Sequence, residues 1–415
     1  MHLVTRHFNS HPPVNVATAY QIQWETIKKE LSLTPGTSVA VCVGSRGITQ
    51  LVEVVSQIVS SLKKEGLSPF ITSAMGSHGG ATAQGQVDVL AHLGITEETV
   101  EAPVRITMAV EELGEVDGIP LFLDQLAHQA DGIVLINRIK PHTDFTGPTE
   151  SGLIKMMAIG LGNQIGADHY HRLSVARDMY EIINTAGTEL IKLSRVLFGV
   201  GLVENEAHET AHLRLIPGPE IATTEPELLS ISRKCFPRLP LDEIDLLIVD
   251  AIGKEISGSG MDPIVTGRRP CAHSPRRPWP KIGRILVRDI TEASEGNGTG
   301  IGQADFTTQR AVDKIDAEIT AVNCVTACCP EDGKIPLTYP DDRRAVEAAL
   351  MTLRPFECDD LRMVHIKNTL ELENLVVSTA CLHDLTDDCR VKSADRSLAF
   401  DEDGDLYYET QKGNS

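Results

Sequence analysis

Two hydrophobic periods alternate along the chain, and the switches between them fall at glycines. Residues 38–44 (SVAVCVG) form an unbroken apolar, β-rich run. Beyond Gly47 the apolar positions become Leu51, Val54, Val55, Ile58, Val59 and Leu62, the i, i+3, i+4, i+7, i+8, i+11 spacing of a helix with one buried face. The same unit repeats at once: 68–74 reads as a strand, 76–80 (GSHGG) as the turn and 82–93 as the helix. Consecutive strand–turn–helix units build a parallel sheet whose glycine turns share one edge, which makes Arg46 and His78 neighbours. Short strands are expected near 104–108 and 119–122. A third buried strand, 132–136, delivers Lys140, Pro141 and His142 to that same edge, and Pro141 bars His142 from continuing the strand. From 152 to 162 the chain is apolar apart from Lys155, and Gly160, Gly162 and Gly166 predict tight backbone turns. Helical spacing returns over 172–195, a strand follows at 196–203, and the polar run 204–212 opens a hairpin.

Prolines thin the pattern over 217–240 around one modest helix (225–234), and a domain boundary falls there, giving domains 1–238 and 239–415. A second α/β series begins with a strand at 244–249 and the turn 250–260, followed by a strand at 283–289. The run GNGTGIG (296–302) matches neither phosphate-binding fingerprint and precedes an expected helix over 306–315. A helix at 341–350 and strands at 363–367 and 375–379 complete it. The acidic run 401–405 lacks the glycine and glutamate offsets of a calcium loop. The expected fold is therefore α/β, two domains with mainly parallel sheets and the active site in the cleft between them.

Composition narrows the function. A chain of 415 residues is long for a single core. With 4% aromatic residues its interior must rest on Val, Ile, Leu and Ala. A net charge of −20 excludes nucleic acid as the main partner. No apolar run is long enough to span a membrane. Nine cysteines without a CxxC pair read as buried thiols in a cytoplasmic protein. One segment departs from the acidic background: 266–281 (TGRRPCAHSPRRPWPK) holds five Lys or Arg and no Asp or Glu. It is either a solvated excursion or a lid that supplies cations to an anionic ligand.

The chemistry-bearing residues concentrate between 142 and 171: His142, Lys155, His169 and His171. A histidine at a sheet-edge turn exchanges protons near neutrality, and His78 with His142, delivered by different strands, could address opposite faces of one carbon. Lys155, alone among Gly152, Leu153, Ile154, Met156 and Met157, must snorkel or act as a desolvated amine. Of His169 and His171, either could ligate a metal, and in an extended strand both would point the same way.

GSRG, MGSHGG, RIKPHTDFTG, SGLIKMMAIGLG and DHYHR occur in the order of motifs in the nickel-dependent lactate racemases, and residues 40–175 resemble that family. The resemblance implies a nickel-pincer nucleotide attached covalently through Lys155, with Ser45 and Gly76 beside it and His171 as the protein's nickel ligand. It implies His78 and His142 as an alternating acid/base pair and Arg46 as the cation for the substrate carboxylate. The implied activity is racemisation or epimerisation at C2 of a 2-hydroxy acid by hydride transfer to and from the cofactor, in an enzyme that depends on cofactor-biosynthesis partners. Whether it forms a homo-oligomer stays open. Three departures bear on the substrate. Val43 and Gly44 replace an acidic residue, the SGG before the lysine is reduced, and the second domain lacks the YQ-x-x-K cluster, with Lys254 as its nearest substitute. The expected substrate is therefore a 2-hydroxy acid other than lactate, such as a sugar acid. Two rivals remain: a hydrolase or lyase with an ordinary metal on His142, His169 and His171, and a non-catalytic nucleotide- or anion-binding protein.

Overall fold

The computed structural model describes residues 1–8, 11–31, 34–45, 47–272, 274–277, 279–355, 357–393 and 396–410. The chain forms two compact units, Ser10–Phe236 and Met1–Asn9 with Pro237–Ser415.

In the first unit the strands β1 (Ser38–Val43), β2 (Ser68–Ser73), β3 (Gly132–Arg138), β4 (Val196–Glu204) and β5 (Thr210–Pro217) form one sheet in the order β2-β1-β3-β4-β5. All pairs are parallel except the β4–β5 hairpin. The strands are apolar without alternation because both faces are covered. Val39, Val41, Val134 and Ile136 pack against the stripe Leu51, Val54, Val55, Ile58, Val59 and Leu62 of helix α1 (Leu51–Lys64). Ala40, Cys42, Ile133 and Leu135 pack on the other face with Leu153, Ile154 and Met157, and with Ile182, Ile183 and Leu190 of a later helix. Each such fully buried aliphatic side chain contributes about 1.5–3 kcal/mol, so this two-sided burial holds the sheet edge rigid beneath its turns.

Two expectations are corrected in this unit, and a stretch left unassigned becomes defined. The antiparallel hairpin forms at Val110–Val116 and Ile119–Asp124, and near 104–108 only Val104 bridges to Ile71. The stretch 152–162 is helical: Leu153–Lys155 runs into a π-helical turn, Met156–Gly160, closed by the Leu161 N–H on the Met156 carbonyl at 2.9 Å. Glycine there serves close packing, since a Cβ on Gly160 would lie 2.6 Å from the Ala74 carbonyl oxygen. Residues 163–173, including both histidines, form helix α2 (Asn163–Leu173), not an extended strand.

The second unit is built on β6 (Glu243–Ile252), β7 (Lys281–Ile290), β8 (Phe306–Thr308), β9 (Leu337–Tyr339), β10 (Met363–Ile366) and β11 (Asn374–Val377), with order β9-β8-β7-β6-β10-β11 and a parallel core. The strand His2–Arg6 adds antiparallel to β11 and in turn pairs with Cys389–Ser393. The chain's first residues therefore belong to this unit and not to a 1–238 domain. Their Val4 is fully buried, and five residues carry too little periodicity to announce their sheet from afar. The glycine run 296–302 leads into β8 and a short helix, Gln309–Asp313, in place of one helix over 306–315. Cys42, Cys235, Cys324 and Cys381 are buried free thiols, and Cys271 and Cys329 are buried as well. No helix among the described residues is long and apolar enough to cross a membrane.

Candidate active site

The carboxyl ends of β1, β2 and β3 meet at one place. A Cβ on Gly44, just past β1, would touch Met156 Cε at 3.7 Å, Asn137 Oδ1 at 3.8 Å and the Ala74 carbonyl at 3.9 Å. The turns after three strands thus close around the π-helical segment that follows Lys155. π-Turns of this kind are frequent at functional sites.

Lys155 is held by its neighbours' backbone. Glu225, fully buried on the helix Ile221–Cys235, accepts the N–H groups of Leu153 at 2.8 Å and Ile154 at 3.0 Å through Oε2, capping the segment that carries the lysine. Gly152 makes room, because a Cβ there would sit 2.3 Å from Glu225 Oε1. Burial raises the Glu225 carboxyl to about 7 against the pull of those two N–H donors. Its other oxygen, Oε1, has no hydrogen-bond partner and is the place for that proton.

His142 sits in a loop pinned at its base by reciprocal backbone bonds between Lys140 and Ser151, 2.9 and 3.1 Å. Inside the loop buried Glu150 is the organising group. It accepts the N–H of His142 at 2.6 Å, that of Gly147 at 3.2 Å and the Arg233 guanidinium at 2.6 Å. The imidazole stacks on Phe145 with centroids 4.2 Å apart.

The half-buried Lys155 Nζ meets His142 Nε2 at 2.5 Å, while the Asp144 amide N–H donates to His142 Nδ1 at 3.0 Å. A neutral imidazole has one donor and one acceptor nitrogen. The contact sets the Lys155 amine directly against an imidazole nitrogen, the pairing that proton exchange between a lysine and a histidine requires.

On the neighbouring turn His78 is exposed and its Nδ1 hydrogen-bonds the Ser45 hydroxyl. Buried Gln86 fixes this turn by donating to the carbonyls of Gly76 at 2.9 Å and His78 at 3.3 Å, with its own Oε1 held by Ser73 Oγ at 2.5 Å. Gly76 takes a left-handed φ of 59° and donates its N–H to the Gly160 carbonyl at 3.0 Å, which ties the His78 turn to the lysine segment. Arg46 lies outside the described residues.

Helix α2 separates the two candidate nickel ligands. Its buried stripe is Asn163, Gly166, Ala167 and Tyr170; His169 and His171 flank it on opposite sides, about 200° apart. His169 is exposed and leans on Phe122, centroids 5.5 Å apart, whereas His171 is half-buried. They cannot share one metal ion. Among the described residues no three His, Cys, Asp or Glu side chains converge as a metal site.

Lys254 lies in the second unit, after β6. Its Nζ donates to the Gly258 carbonyl at 2.6 Å and Asn323 Oδ1 at 2.7 Å, bracing the turn that it begins. Glu225, Glu150, Arg233 and Gln86 were not singled out in the sequence. Each acts on backbone far away in the chain, or on a turn whose demands only the folded loop defines, and a lone Glu or Gln on a helix carries no local sign of that.

No protein-family model and no curated protein matches the chain. Among solved structures it is similar to a Thermotoga maritima protein determined as a structural-genomics target, with 17% identity and a TM-score of 0.51 over 68% of this chain and 72% of that one. It is also similar to the lactate racemase apoprotein of Thermoanaerobacterium thermosaccharolyticum, with 14% identity and a TM-score of 0.44 over 79% of this chain and 84% of that one. The first of these likenesses shows a common fold.

Proposed function

We propose that this chain is an isomerase that inverts C2 of a 2-hydroxy acid with a nickel-pincer nucleotide held on Lys155. The observation that carries this reading is the Lys155–His142 contact, an amine set against an imidazole at the shared edge of three parallel strands. It agrees with the ordered motifs of residues 40–175 that resemble the nickel-dependent lactate racemases.

The residues present fit that group on two counts. Covalent attachment requires an amine with a proton acceptor beside it, which the Lys155–His142 contact offers, and the donor set suits a metal that arrives with most of its donors in the nucleotide and needs one more from the protein. His171 on α2 would be that donor; Ser45 and Gly76 line the turns beside the lysine. When bound, the group supplies a reversible acceptor for the hydride at C2. The protein's own part is proton transfer and orientation. His142, fixed by Glu150 and Phe145, and His78, fixed through Nδ1 by Ser45, would take and return the hydroxyl proton of opposite stereoisomers. Arg46, next to Ser45 in the chain, would bind the carboxylate through two parallel N–H bonds.

The test is intact-mass and metal analysis of protein co-expressed with cofactor-making enzymes. One nickel and a covalent adduct that vanishes in Lys155→Ala are expected, together with retention of C2 deuterium during racemisation in H₂O. An unmodified, nickel-free chain under those conditions overturns the proposal.

A further inference from the structure

The basic segment 266–281 has no part in the site above, yet it builds a cavity within the second unit. At the amino ends of β6 and β7, opposite the edge where such sheets usually bind ligands, lies a pocket of about 490 Å³. Its wall carries five cationic side chains, Arg268, Arg277, Lys281, Arg354 and Arg362, against the two carboxylates of Glu243 and Asp245. They converge from separate stretches of a chain with 58 acidic and 38 basic residues, where chance would favour the other sign.

Arg362 is committed to Asp384 at 2.7 Å and to the Glu243 carbonyl at 2.9 Å, whereas the pairs made by Lys281 and Arg354 can yield to a stronger ligand. Lys281 meets Glu243 at 3.0 Å and Arg354 meets Asp245 at 3.7 Å, with both cationic side chains at least 70% exposed. Such pairs are worth little in water. Asp245 is further occupied by the Arg362 N–H at 3.0 Å. Arg268 is the anchor. It lines the pocket with one terminal nitrogen paired to Asp305. Arg284, held by Thr352 at 2.8 Å, adds a second positive charge beside it. Guanidinium forks match phosphate and carboxylate oxygens two at a time. A single phosphate offers too few oxygens to engage cations spread around a pocket of this size.

We propose that this pocket binds a small diphosphate-bearing anion, gripped by Arg268 within and by Lys281 and Arg354 at the rim. The proposal is independent of the isomerase reading, because every residue it uses lies in the second unit and none belongs to the Lys155 site.

The experiment is titration calorimetry of the full-length protein with inorganic pyrophosphate in phosphate-free, low-salt buffer. Saturable one-to-one binding is expected, weakened at least tenfold by Arg268→Gln and several-fold by Arg354→Gln. Arg354 is exposed, so that variant should fold even if Arg268→Gln does not. Lys192→Gln, in the other unit, should bind like the unmodified protein. No saturable heat, or affinity unchanged in Arg354→Gln, overturns the proposal. Orthophosphate binding as tightly as pyrophosphate overturns the diphosphate assignment.

Discussion

Each unit places a histidine near the carboxyl end of a parallel strand, and the two have opposite surroundings. In the second unit His365 donates or accepts on both sides, Nε2 to Asp250 at 2.7 Å and Nδ1 to the Tyr408 hydroxyl at 2.5 Å. Asp250 also pairs with Arg288, which reaches the fully buried Asp342; Arg310 reaches Asp342 and Asp405. Burial raises the Asp250 carboxyl, but the His365 bond and Arg288 more than offset this and hold it below the usual range. Burial, then the Asp250 charge, pushes the Tyr408 phenol up. Every charge here meets its opposite, so the network fastens the C-terminal hairpin Arg396–Phe400 and Leu406–Thr410 to the sheet. In the first unit His142 meets an amine instead. Position on a sheet edge therefore does not mark a reactive site; an amine set directly against the imidazole is the more telling sign.

That contrast can be broken from either side. Lys155→Ala should cause the largest loss, removing the covalent adduct and lowering turnover by about a thousandfold or more, as expected when a tether for the reacting group is lost. Asp342→Asn should leave two guanidinium groups partly uncompensated and destabilise the second unit by about 3–5 kcal/mol, read by denaturant unfolding. Labelling of Lys155 by an amine-reactive reagent should be unchanged in that variant; a parallel loss would undo the separation of the two regions.

Glu225 gives a pH test of the lysine's support. Its carboxyl titrates at 4.5 when unfolded and at about 7 when folded. Between those values the folded state binds more protons, so its contribution is most favourable below the unfolded value and is lost as pH rises through 7. The loss is roughly 3 kcal/mol between pH 4.5 and 8. Glu225→Gln should flatten that part of the stability profile, and an unchanged slope would show that Glu225 is ionised throughout. A smaller effect is expected for Glu150→Gln, which weakens a charge-assisted bond worth about 1–3 kcal/mol. Turnover should fall roughly tenfold through misplacement of His142, with the adduct retained. Ser45→Ala should cost least, a few-fold in turnover with a displaced pH profile, because one neutral hydrogen bond to His78 is worth about 1 kcal/mol.

The sequence by itself determined the parallel frame of both units and the delivery of His78, His142 and Lys155 to one edge. These rest on short-range periodicity and on glycine and proline at turns, which act over a few residues whatever lies beyond. The same local reading placed turns where Lys155 starts a helical segment. It left the backbone that carries His169 and His171 unassigned, because glycines that permit close packing of a helix look like glycines that bend a loop. Only the tertiary structure decided which of those histidines could share a site, that Glu225 caps Leu153 from 72 residues away, and that Glu150 and Arg233 hold the His142 loop. It also gave the first strand to the second unit. Long-range partners of this kind are chosen by burial. A buried carboxylate must find N–H donors or a guanidinium, and which ones it finds depends on how distant helices pack.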